Sequence, residues 1–236
     1  MTPSLKIDFV SDISCPWCAI GLKSLEQALA RVAGDMTATL HFQPFELNPQ
    51  MAPEGQEITE HITQKYGITP AQADANRENI RLRGESVGFT FSKADQPGGG
   101  RSRIYNTFDA HRLLHWAGLE GADPQKALKE ALFKAYFTDG QNPASHEVLA
   151  RVAGEVGLDA AQAREVLASD AYADEVRERE AFYQSQGIHS VPAVIINDRH
   201  LISGGQPAEV FEQALRQAAL SGVAARFFPT ALPVLA

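Results

Sequence analysis

The chain has only two cysteines, Cys15 and Cys18, and they lie one helical turn apart directly after an apolar segment. Residues 5–10 alternate in polarity, which predicts a half-buried strand, and apolar side chains recur at helical spacing after the cysteine pair. Pro16 suits the first position of a helix, because its missing N–H has no intrahelical partner there. The pair is therefore predicted at the point where a strand gives way to a helix, with Cys15 as the N-cap residue.

This predicted position gives the two sulfur atoms different environments. Cys15 faces free backbone N–H groups and the positive end of the helix dipole, both of which favour the thiolate. Cysteines at such sites have pKa values of roughly 3.5–7.5 instead of about 8.5. Cys18 projects from the same helix face within the first turn, which suits a buried resolving thiol. The pattern indicates a dithiol for redox exchange.

Three other roles for the cysteine pair remain open. A structural disulfide across so short a loop removes little entropy from the unfolded chain, worth about 2 kcal/mol. A zinc site needs two further ligands, and the nearest candidates, His111 and His115, lie far beyond Cys18 in the chain. Two buried, inert cysteines are also compatible with the pattern, since free cysteine packs as a small hydrophobe. The redox interpretation is favoured, with no metal and no separate cofactor.

Composition and charge argue against several classes of protein. A chain of 236 residues with 44% hydrophobic content can bury a full core. The net charge of −8, without a dense Lys/Arg cluster, argues against nucleic acid as a partner. The sequence shows neither a membrane-spanning segment nor a signal-peptide pattern. We expect a cytoplasmic protein, where disulfides are usually transient and catalytic.

The order of predicted elements indicates a sheet interrupted by helices. Residues 37–47 are a second β-rich segment, and strand, helix and strand at this spacing predict a βαβ unit with parallel strands. From about residue 56 to residue 186 the pattern is helical. Helix starts in this segment are predicted at Thr69, Asp123 and Asp159.

Strand character returns late in the chain. Residues 190–196 predict a strand, Asn197 and Asp198 suit a two-residue hairpin turn, and a further strand and a last helix follow. The fold class is therefore α/β, with a βαβ half and a ββα half on either side of a helical insertion. The predicted domains are a discontinuous sheet domain of residues 1–50 and 180–220, a helical insertion of residues 51–179, and an apolar C-terminal tail of residues 221–236.

Four segments of the chain resemble one family. These are residues 11–21 with the Cys-Pro-Trp-Cys motif, residues 45–49 (Phe-Glu-Leu-Asn-Pro), residues 109–113 (Asp-Ala-His-Arg-Leu) and residues 202–207 (Ile-Ser-Gly-Gly-Gln-Pro). Together with a Val-Pro pair ahead of an apolar strand, they resemble the DsbA family of thiol–disulfide oxidoreductases, and within it the cytosolic FrnE-like branch. The resemblance covers nearly the whole chain except the tail. It implies a thioredoxin fold with a central mixed sheet and a large inserted all-helical domain.

The resemblance also implies roles for particular residues. Cys15 corresponds to the attacking thiolate and Cys18 to the resolving thiol. Val191 and Pro192 correspond to a cis-proline loop that faces the dithiol across a groove. A cis Pro192 would aim the backbone of Val191 at an extended substrate chain.

Four further residues are candidates for substrate binding. Pro16 and Trp17 lie between the cysteines, where an exposed Trp17 could contact substrate or could pack on a neighbouring loop. His111 belongs to a segment matching the family and could stabilise the Cys15 thiolate, although a helix-buried histidine beside a carboxylate is an equal alternative. Gln206 could donate to a bound peptide or to glutathione, or it could cap the last helix.

These observations predict a thiol–disulfide oxidoreductase, acting as a reductase or isomerase on disulfides of proteins or small molecules. Pro-Trp between the cysteines resembles the Pro-Tyr of glutaredoxins, which makes glutathione a candidate co-substrate. Two alternatives stay open. One is a glutathione-dependent transferase or isomerase of the kappa-class type, which resembles this fold with a serine at the attacking position, as Ser14 next to Cys15 would supply. The other is a chaperone-like protein that binds clients with its helical insertion.

The tail carries several apolar side chains, so it is expected to dock on its own domain or on a second subunit. The sequence is compatible with a monomer or a homodimer.

Overall fold

The computed structural model describes residues 2–92 and 102–221. The strands are β1 (Ser4–Ser11), β2 (Thr37–Pro44), β3 (Gln56–Glu57), β4 (Arg103–Ile104), β5 (Ala193–Ile196) and β6 (His200–Ser203). The helices are α1 (Pro16–Val32), α2 (Ile58–Tyr66), α3 (Pro70–Ser86), α4 (Phe108–Glu120), α5 (Ala122–Phe133), α6 (His146–Glu155), α7 (Ala160–Ala168), α8 (Ala173–Ser185) and α9 (Ala208–Ser221), and a π-helical turn (Lys134–Thr138) follows α5. The predicted apolar tail lies outside the described residues, apart from Ser221.

A four-stranded mixed sheet has the order β2-β1-β5-β6. β1 runs parallel to β2, with Ser4 opposite Thr37, and antiparallel to β5, with Ile7 opposite Ile196. The sheet therefore joins a βαβ half to a ββα half, and the predicted α/β fold class is confirmed. β1 is central and largely buried because it has a neighbour on both sides.

The turn between β5 and β6 also forms as predicted. Asn197 and Asp198 have φ values of 53° and 56°, the left-handed conformation that a two-residue hairpin turn of this kind requires. Apart from glycine, Asn and Asp adopt this conformation more readily than other residues do. The Asn197 side chain also accepts a hydrogen bond of 2.9 Å from the N–H of Lys6, which ties the turn to β1.

Helix starts in the middle of the chain agree with the sequence at two positions out of three. Thr69 forms a capping box with Gln72, and the Asp159 carboxylate accepts from the first turn of α7. The predicted start at Asp123 is wrong: α5 begins at Ala122 with Gly121 as its N-cap, so Asp123 lies in the first turn. The reason is Gly121, whose φ of 141° makes the sharp break between α4 and α5.

The segment predicted as helical also contains two short strands. β3 and β4 pair antiparallel, with Gln56 opposite Ile104. Each strand is only two residues long, and many residues separate the two in the chain. Neither strand therefore produces a local alternating pattern.

The core lies against both sides of the sheet strands. α1 packs on α9, and α4 and α5 pack on β2. One face of α5 and the following turn is buried in the core: Leu128, Leu132 and Tyr136 are at most 1% exposed. These helices fix the loops that carry the cysteine pair and the Val-Pro segment.

Candidate active site

The cysteine pair sits at the start of α1, where the sequence predicts it. Cys15 is the N-cap residue, in an extended conformation, and Pro16 occupies the first turn. Cys15 is 4% exposed and Cys18 is completely buried. Cys15 therefore holds the outer position and Cys18 the inner one. The Sγ atom of Cys15 lies 3.6 Å from the carbonyl oxygen of Val191.

The environment of Cys18 keeps its thiol protonated. Burial raises the pKa of Cys18 well above its ordinary value, and a side-chain hydrogen bond to Cys15 raises it further. The charge of Lys129 acts in the opposite direction but does not overcome burial. A thiol that stays protonated is a poor nucleophile, so this environment is compatible with the predicted role of Cys18 as the resolving thiol.

The Val191–Pro192 peptide bond is cis, in agreement with the sequence expectation. Pro192 lies very close to α1: a Cβ atom added to Gly21 would be 3.1 Å from Pro192 Cγ and 3.2 Å from Gly205 Cα. Gly21 leaves room for this approach, because a side chain there would force Pro192 or Gly205 to shift by a few tenths of an ångström. α1, the cis-proline loop and the turn before α9 are therefore packed together at the cysteine pair.

Trp17 packs on a neighbouring loop, one of the two alternatives given for it from sequence, while its contact with substrate remains a prediction. A Cβ atom on Gly205 would lie 3.4 Å from Trp17 Cε3 and 2.9 Å from the Trp17 carbonyl oxygen, so this residue packs against the turn before α9. Trp17 is nevertheless 41% exposed. It offers exposed aromatic surface beside Cys15 while packed on the turn before α9.

Gln206 lies next to Gly205 but turns its side chain to the backbone. Its side-chain amide donates to the carbonyl of Ser203 at 2.8 Å, which braces the turn between β6 and α9. Its predicted contact with a peptide or glutathione remains a prediction.

His111 is buried beside a carboxylate, the alternative considered from sequence. Its Nε2 atom lies 3.7 Å from Asp12 and makes no hydrogen bond within the described part of the chain. Asp12 accepts hydrogen bonds from the N–H and hydroxyl of Ser14 and from the N–H of Leu47. Burial acts to raise the pKa of Asp12, but the His111 ring and the two N–H groups outweigh it and lower the pKa to about 2. The Asp12 carbonyl accepts from the N–H of Cys15, so this network supports the cysteine loop from behind.

The sequence analysis did not single out Lys129, on α5. Its side chain is completely buried, and within the described residues its Nζ atom has no hydrogen-bond partner. Nζ lies 4.9 Å from the centroid of the Phe133 ring and 5.9 Å from that of Phe42. Burial lowers the pKa of Lys129 to about 8, and the nearby charges of Cys18, Asp12 and Cys15 partly oppose this effect. The sequence gives one hint that Lys129 is buried, namely that it directly follows the buried Leu128.

Lys65 and Tyr66, at the end of α2, are two further residues that the sequence did not reveal. The Lys65 ammonium donates to the Leu47 carbonyl at 2.9 Å and to the Asn48 side chain at 2.7 Å. Burial lowers the pKa of Lys65 and raises that of Tyr66, and both side chains feel the charge of Cys15. A cation and an exposed aromatic ring therefore lie within electrostatic range of Cys15.

Residues 2–92 and 102–221 contain no group of three or more His, Cys, Asp or Glu side chains placed to hold a metal ion. The other histidine considered for zinc, His115, packs its ring against Tyr172 with centroids 5.2 Å apart. Over the same residues, no helix combines the length and the apolar character needed to cross a membrane.

A dithiol at a helix N-terminus, with a buried second sulfur and a cis-proline opposite the first, defines a thiol–disulfide oxidoreductase of the thioredoxin fold. Residues 6–216 match the sequence model of the DSBA-like thioredoxin domain, and the chain belongs to this family. It is an enzyme of the DsbA oxidoreductase family, whose members act on thiol or disulfide substrates.

Three solved structures illustrate the relationship. A probable DsbA oxidoreductase from Streptomyces coelicolor is 34% identical, with 98% of this chain and 94% of that chain covered and a TM-score of 0.83. The fold is also similar to that of a 2-hydroxychromene-2-carboxylate isomerase, at 15% identity, coverage of 92% and 98%, and a TM-score of 0.67. A cytosolic disulfide reductase, DsbM from Pseudomonas aeruginosa, solved with GSH, shares 16% identity with coverage of 90% and 98% and a TM-score of 0.59.

Proposed function

We propose that this enzyme is a cytoplasmic disulfide reductase or isomerase of the FrnE-like branch, working through a reversible Cys15–Cys18 disulfide. The observation that carries the proposal is the position of Cys15. Its sulfur caps α1, lies 3.6 Å from the Val191 carbonyl at the cis-proline, and is backed by a second sulfur held as a thiol. This arrangement supplies one nucleophile and one resolving group.

The exchange proceeds in two balanced steps. The Cys15 thiolate attacks one sulfur of the substrate disulfide, forms a mixed disulfide, and releases the other sulfur as a thiolate. Cys18 then loses its proton and attacks Cys15 Sγ, which releases the second substrate sulfur. The substrate gains two electrons, and the enzyme is left with the Cys15–Cys18 disulfide. When the released thiolate instead attacks a different disulfide of the same client, a further client thiolate is freed; its attack on the mixed disulfide expels Cys15 as thiolate, and the net result is isomerisation without electron transfer.

The substrate disulfide is proposed to lie between Trp17 and the cis-proline loop. Pro16 and the exposed ring of Trp17 form one wall beside Cys15. Val191 and Pro192 form the other, where the Val191 backbone can pair with an extended chain once the Cys15 thiol no longer occupies its carbonyl. His111 and Gln206 are proposed to act from behind this surface, through the Asp12 network and the turn before α9.

Glutathione is the proposed reductant that restores the dithiol. Two glutathione thiols reduce the Cys15–Cys18 disulfide in two exchange steps and leave as oxidised glutathione. The fold similarity to a cytosolic disulfide reductase solved with GSH supports this choice and the proposed cytoplasmic location. Substrates are proposed to be protein or small-molecule disulfides, handled by a monomer or homodimer.

A redox titration tests the proposal. The protein is equilibrated in graded glutathione buffers, the thiols are trapped by alkylation, and the fraction of Cys15–Cys18 disulfide is read by mass. A reduction potential of about −270 mV, the thioredoxin value, is expected for a reductase. A value of about −120 mV would place the enzyme with strong oxidants such as DsbA. Absence of any reversible Cys15–Cys18 bond would overturn the proposal.

The glutathione-dependent isomerase or transferase is the second candidate, favoured by the fold similarity to the chromene-carboxylate isomerase. That alternative needs Ser14 as the attacking residue, and the Ser14 hydroxyl donates to Asp12 at 2.9 Å in a buried position. Conjugation or isomerisation that survives Cys15→Ala and disappears in Ser14→Ala would establish it. The chaperone-like alternative predicts that a Cys15→Ser/Cys18→Ser protein suppresses client aggregation as well as the unchanged protein does.

A further inference from the structure

Lys129 is a buried cation that the two-step exchange leaves without a role. Its side chain is completely buried, and its Nζ atom makes no hydrogen bond to any other residue that the structure describes. The ring centroids of Phe133 and Phe42 lie 4.9 Å and 5.9 Å from Nζ. Burial also lowers the pKa of Lys129 to about 8. Ionisable groups with strongly perturbed pKa values are concentrated at functional sites, so Lys129 is a candidate for a function in the exchange.

The charged groups that act on Lys129 belong to the cysteine loop and the start of α1. They are Cys18, Asp12 and Cys15, with the largest effect from Cys18. The Lys129 charge in turn acts to lower the pKa of Cys18. Both side chains are completely buried, so solvent and salt screen this interaction only weakly. α5 thus brings a positive charge to the inner side of the cysteine pair.

Two of the effects that hold Cys18 as a thiol come from Cys15. Besides burial, a side-chain hydrogen bond to Cys15 and the charge of Cys15 both raise the pKa of Cys18. The mixed disulfide removes the Cys15 charge, because that sulfur is then bonded to the substrate. The Lys129 charge and a backbone hydrogen bond from Asp12, which both lower the pKa of Cys18, remain. The first exchange step therefore shifts the balance at Cys18 toward the thiolate.

Other titratable groups surround this pair. The Asp12 carboxylate already accepts hydrogen bonds from Ser14 and Leu47, and His111, on α4, lies 3.7 Å from it. Further groups, which act on Asp12, Cys15 or His111, are Lys65, Tyr66, Glu46 and Glu180. Lys129 combines a positive charge with complete burial and a direct effect on Cys18.

We propose that Lys129 is a positioning residue for the resolving step, in which its ammonium stabilises the Cys18 thiolate once Cys15 is held in a mixed disulfide. This inference rests on the proposed function, because it concerns the second of the two exchange steps. In that step the Cys18 sulfur loses its proton and forms a bond to Cys15 Sγ, and the bond from Cys15 to the substrate sulfur breaks. The substrate sulfur takes the bonding electron pair, binds the proton and leaves as a thiol. Lys129 keeps its own protons and forms no covalent bond.

A single-turnover reaction with dipyridyl disulfide separates the two steps in the full-length protein. Attack by Cys15 releases a first thiopyridone, and attack by Cys18 on the mixed disulfide releases a second, so stopped-flow absorbance shows two phases. Lys129→Met is expected to slow the second phase by about three- to thirtyfold at pH 7, because loss of a neighbouring opposite charge raises a pKa by about 1–3 units and roughly half of that change appears in the exchange rate. The first phase should change less, since Lys129 interacts more strongly with Cys18 than with Cys15.

Lys134→Met is the matched control. It removes a lysine charge that pairs with Asp139 on the exposed π-helical turn, and both phases should stay at their wild-type rates. The pH profile then separates charge from packing. The second-phase rate of Lys129→Met should reach half of its maximum at a higher pH than that of the wild type. A packing role would instead lower this rate by the same factor at every pH, and that result would overturn the proposal.

A second measurement follows the ionisation of Cys18 directly. Cys15→Ser removes the Cys15 charge, as the mixed disulfide does, and the carbon chemical shift of Cys18 Cβ in NMR spectra reports its titration. Adding Lys129→Met to this protein should move the titration to a pH at least about one unit higher. An unchanged titration, or equal second-phase rates in the wild type and Lys129→Met, would overturn the role of Lys129. Absence of a second thiopyridone release from the wild type would instead overturn the proposed function.

Discussion

Cys15 Sγ and the carbonyl oxygen of Val191 lie 3.6 Å apart, so residues from opposite ends of the chain meet at the nucleophilic sulfur. In this contact the Cys15 thiol donates to the Val191 carbonyl, which we propose as the backbone acceptor for an extended substrate chain. On this proposal, loss of the thiol proton both creates the nucleophile and frees the carbonyl for the substrate.

Replacing Cys15 and replacing Cys18 are expected to impair disulfide reduction at different steps. Cys15→Ser should abolish reduction of insulin disulfides, because the buried Cys18 thiol is held protonated. Cys18→Ser should still attack but should accumulate a mixed disulfide that only external thiol releases. Non-reducing gels and mass spectrometry distinguish the two outcomes. Equal residual activity of both variants would contradict the assignment of roles.

Gly205 is expected to be intolerant of any side chain. A Cβ atom there would lie 2.9 Å from the Trp17 carbonyl oxygen, a backbone atom that cannot move without moving α1. Gly205→Ala should cost about 1–3 kcal/mol of unfolding free energy and lower kcat/KM for disulfide reduction several-fold. Gly34→Ala is the matched control, since an added Cβ there meets nothing within 4 Å. Urea denaturation and insulin reduction check both variants, and equal behaviour of the two would disprove the packing argument.

Lys129 is expected to reduce stability at neutral pH. Its pKa is about 8 in the folded protein and 10.5 ordinarily, so folding below pH 8 buries a charged ammonium at a cost in free energy. The penalty, roughly 3 kcal/mol, is full below pH 8 and fades as the pH rises from about 8 to about 10.5. Lys129→Met should therefore be more stable than wild type at pH 7, and the difference should shrink by pH 10.

Urea denaturation of the wild type, Lys129→Met and Lys134→Met at both pH values measures this difference. Lys134 pairs with Asp139 on the surface, so its replacement should shift stability by less than about 1 kcal/mol at either pH. A difference between wild type and Lys129→Met that does not change with pH would contradict a buried, titrating lysine.

Asp12 is expected to contribute to acid sensitivity. Its pKa is lowered from 3.8 to about 2, so its stabilising effect is complete above pH 4 and disappears as the pH falls through 2. Asp12→Asn should lose roughly 2 kcal/mol at pH 7 and should show a correspondingly shallower loss of stability between pH 4 and pH 2. Asp35→Asn removes only a surface ion pair with Arg216 and should keep the wild-type acid dependence. Denaturation followed by circular dichroism from pH 7 to pH 2 compares the three proteins.

The parts of the fold that the sequence predicted are those determined by local chemistry. Pro16 at a helix start, the Thr69 capping box and the Asn197–Asp198 turn each depend on residues a few positions apart, and all three form as expected. The family resemblance added the cis Val191–Pro192 bond, which no local pattern shows. The helix start predicted at Asp123 was wrong because an acidic residue before proline suits an N-cap and equally suits the first turn of a helix. In α5 it lies in the first turn.

Sequence analysis missed Lys129, Lys65 and Tyr66 because their positions depend on packing between distant parts of the chain. Lys129 is charged and stands beside an apolar stripe, a pattern that usually places a lysine at the surface. It is buried because Phe42, from β2, covers it from a distant part of the chain. Lys65 is held by hydrogen bonds to the Leu47 carbonyl and the Asn48 side chain, which lie well before it in the chain and which its own sequence neighbourhood does not indicate.

The strand order β2-β1-β5-β6 has a consequence for synthesis of the protein. A ribosome delivers β1, the cysteine pair and β2 first, and the long helical segment must follow before β5 and the cis-proline loop appear. Until then the nascent chain carries Cys15 without Val191, and β1 without its second neighbour. The contact between Cys15 and Val191 thus arises only after β5 and the cis-proline loop have been synthesised, and a chain truncated after α8 retains both cysteines but lacks the loop that faces them.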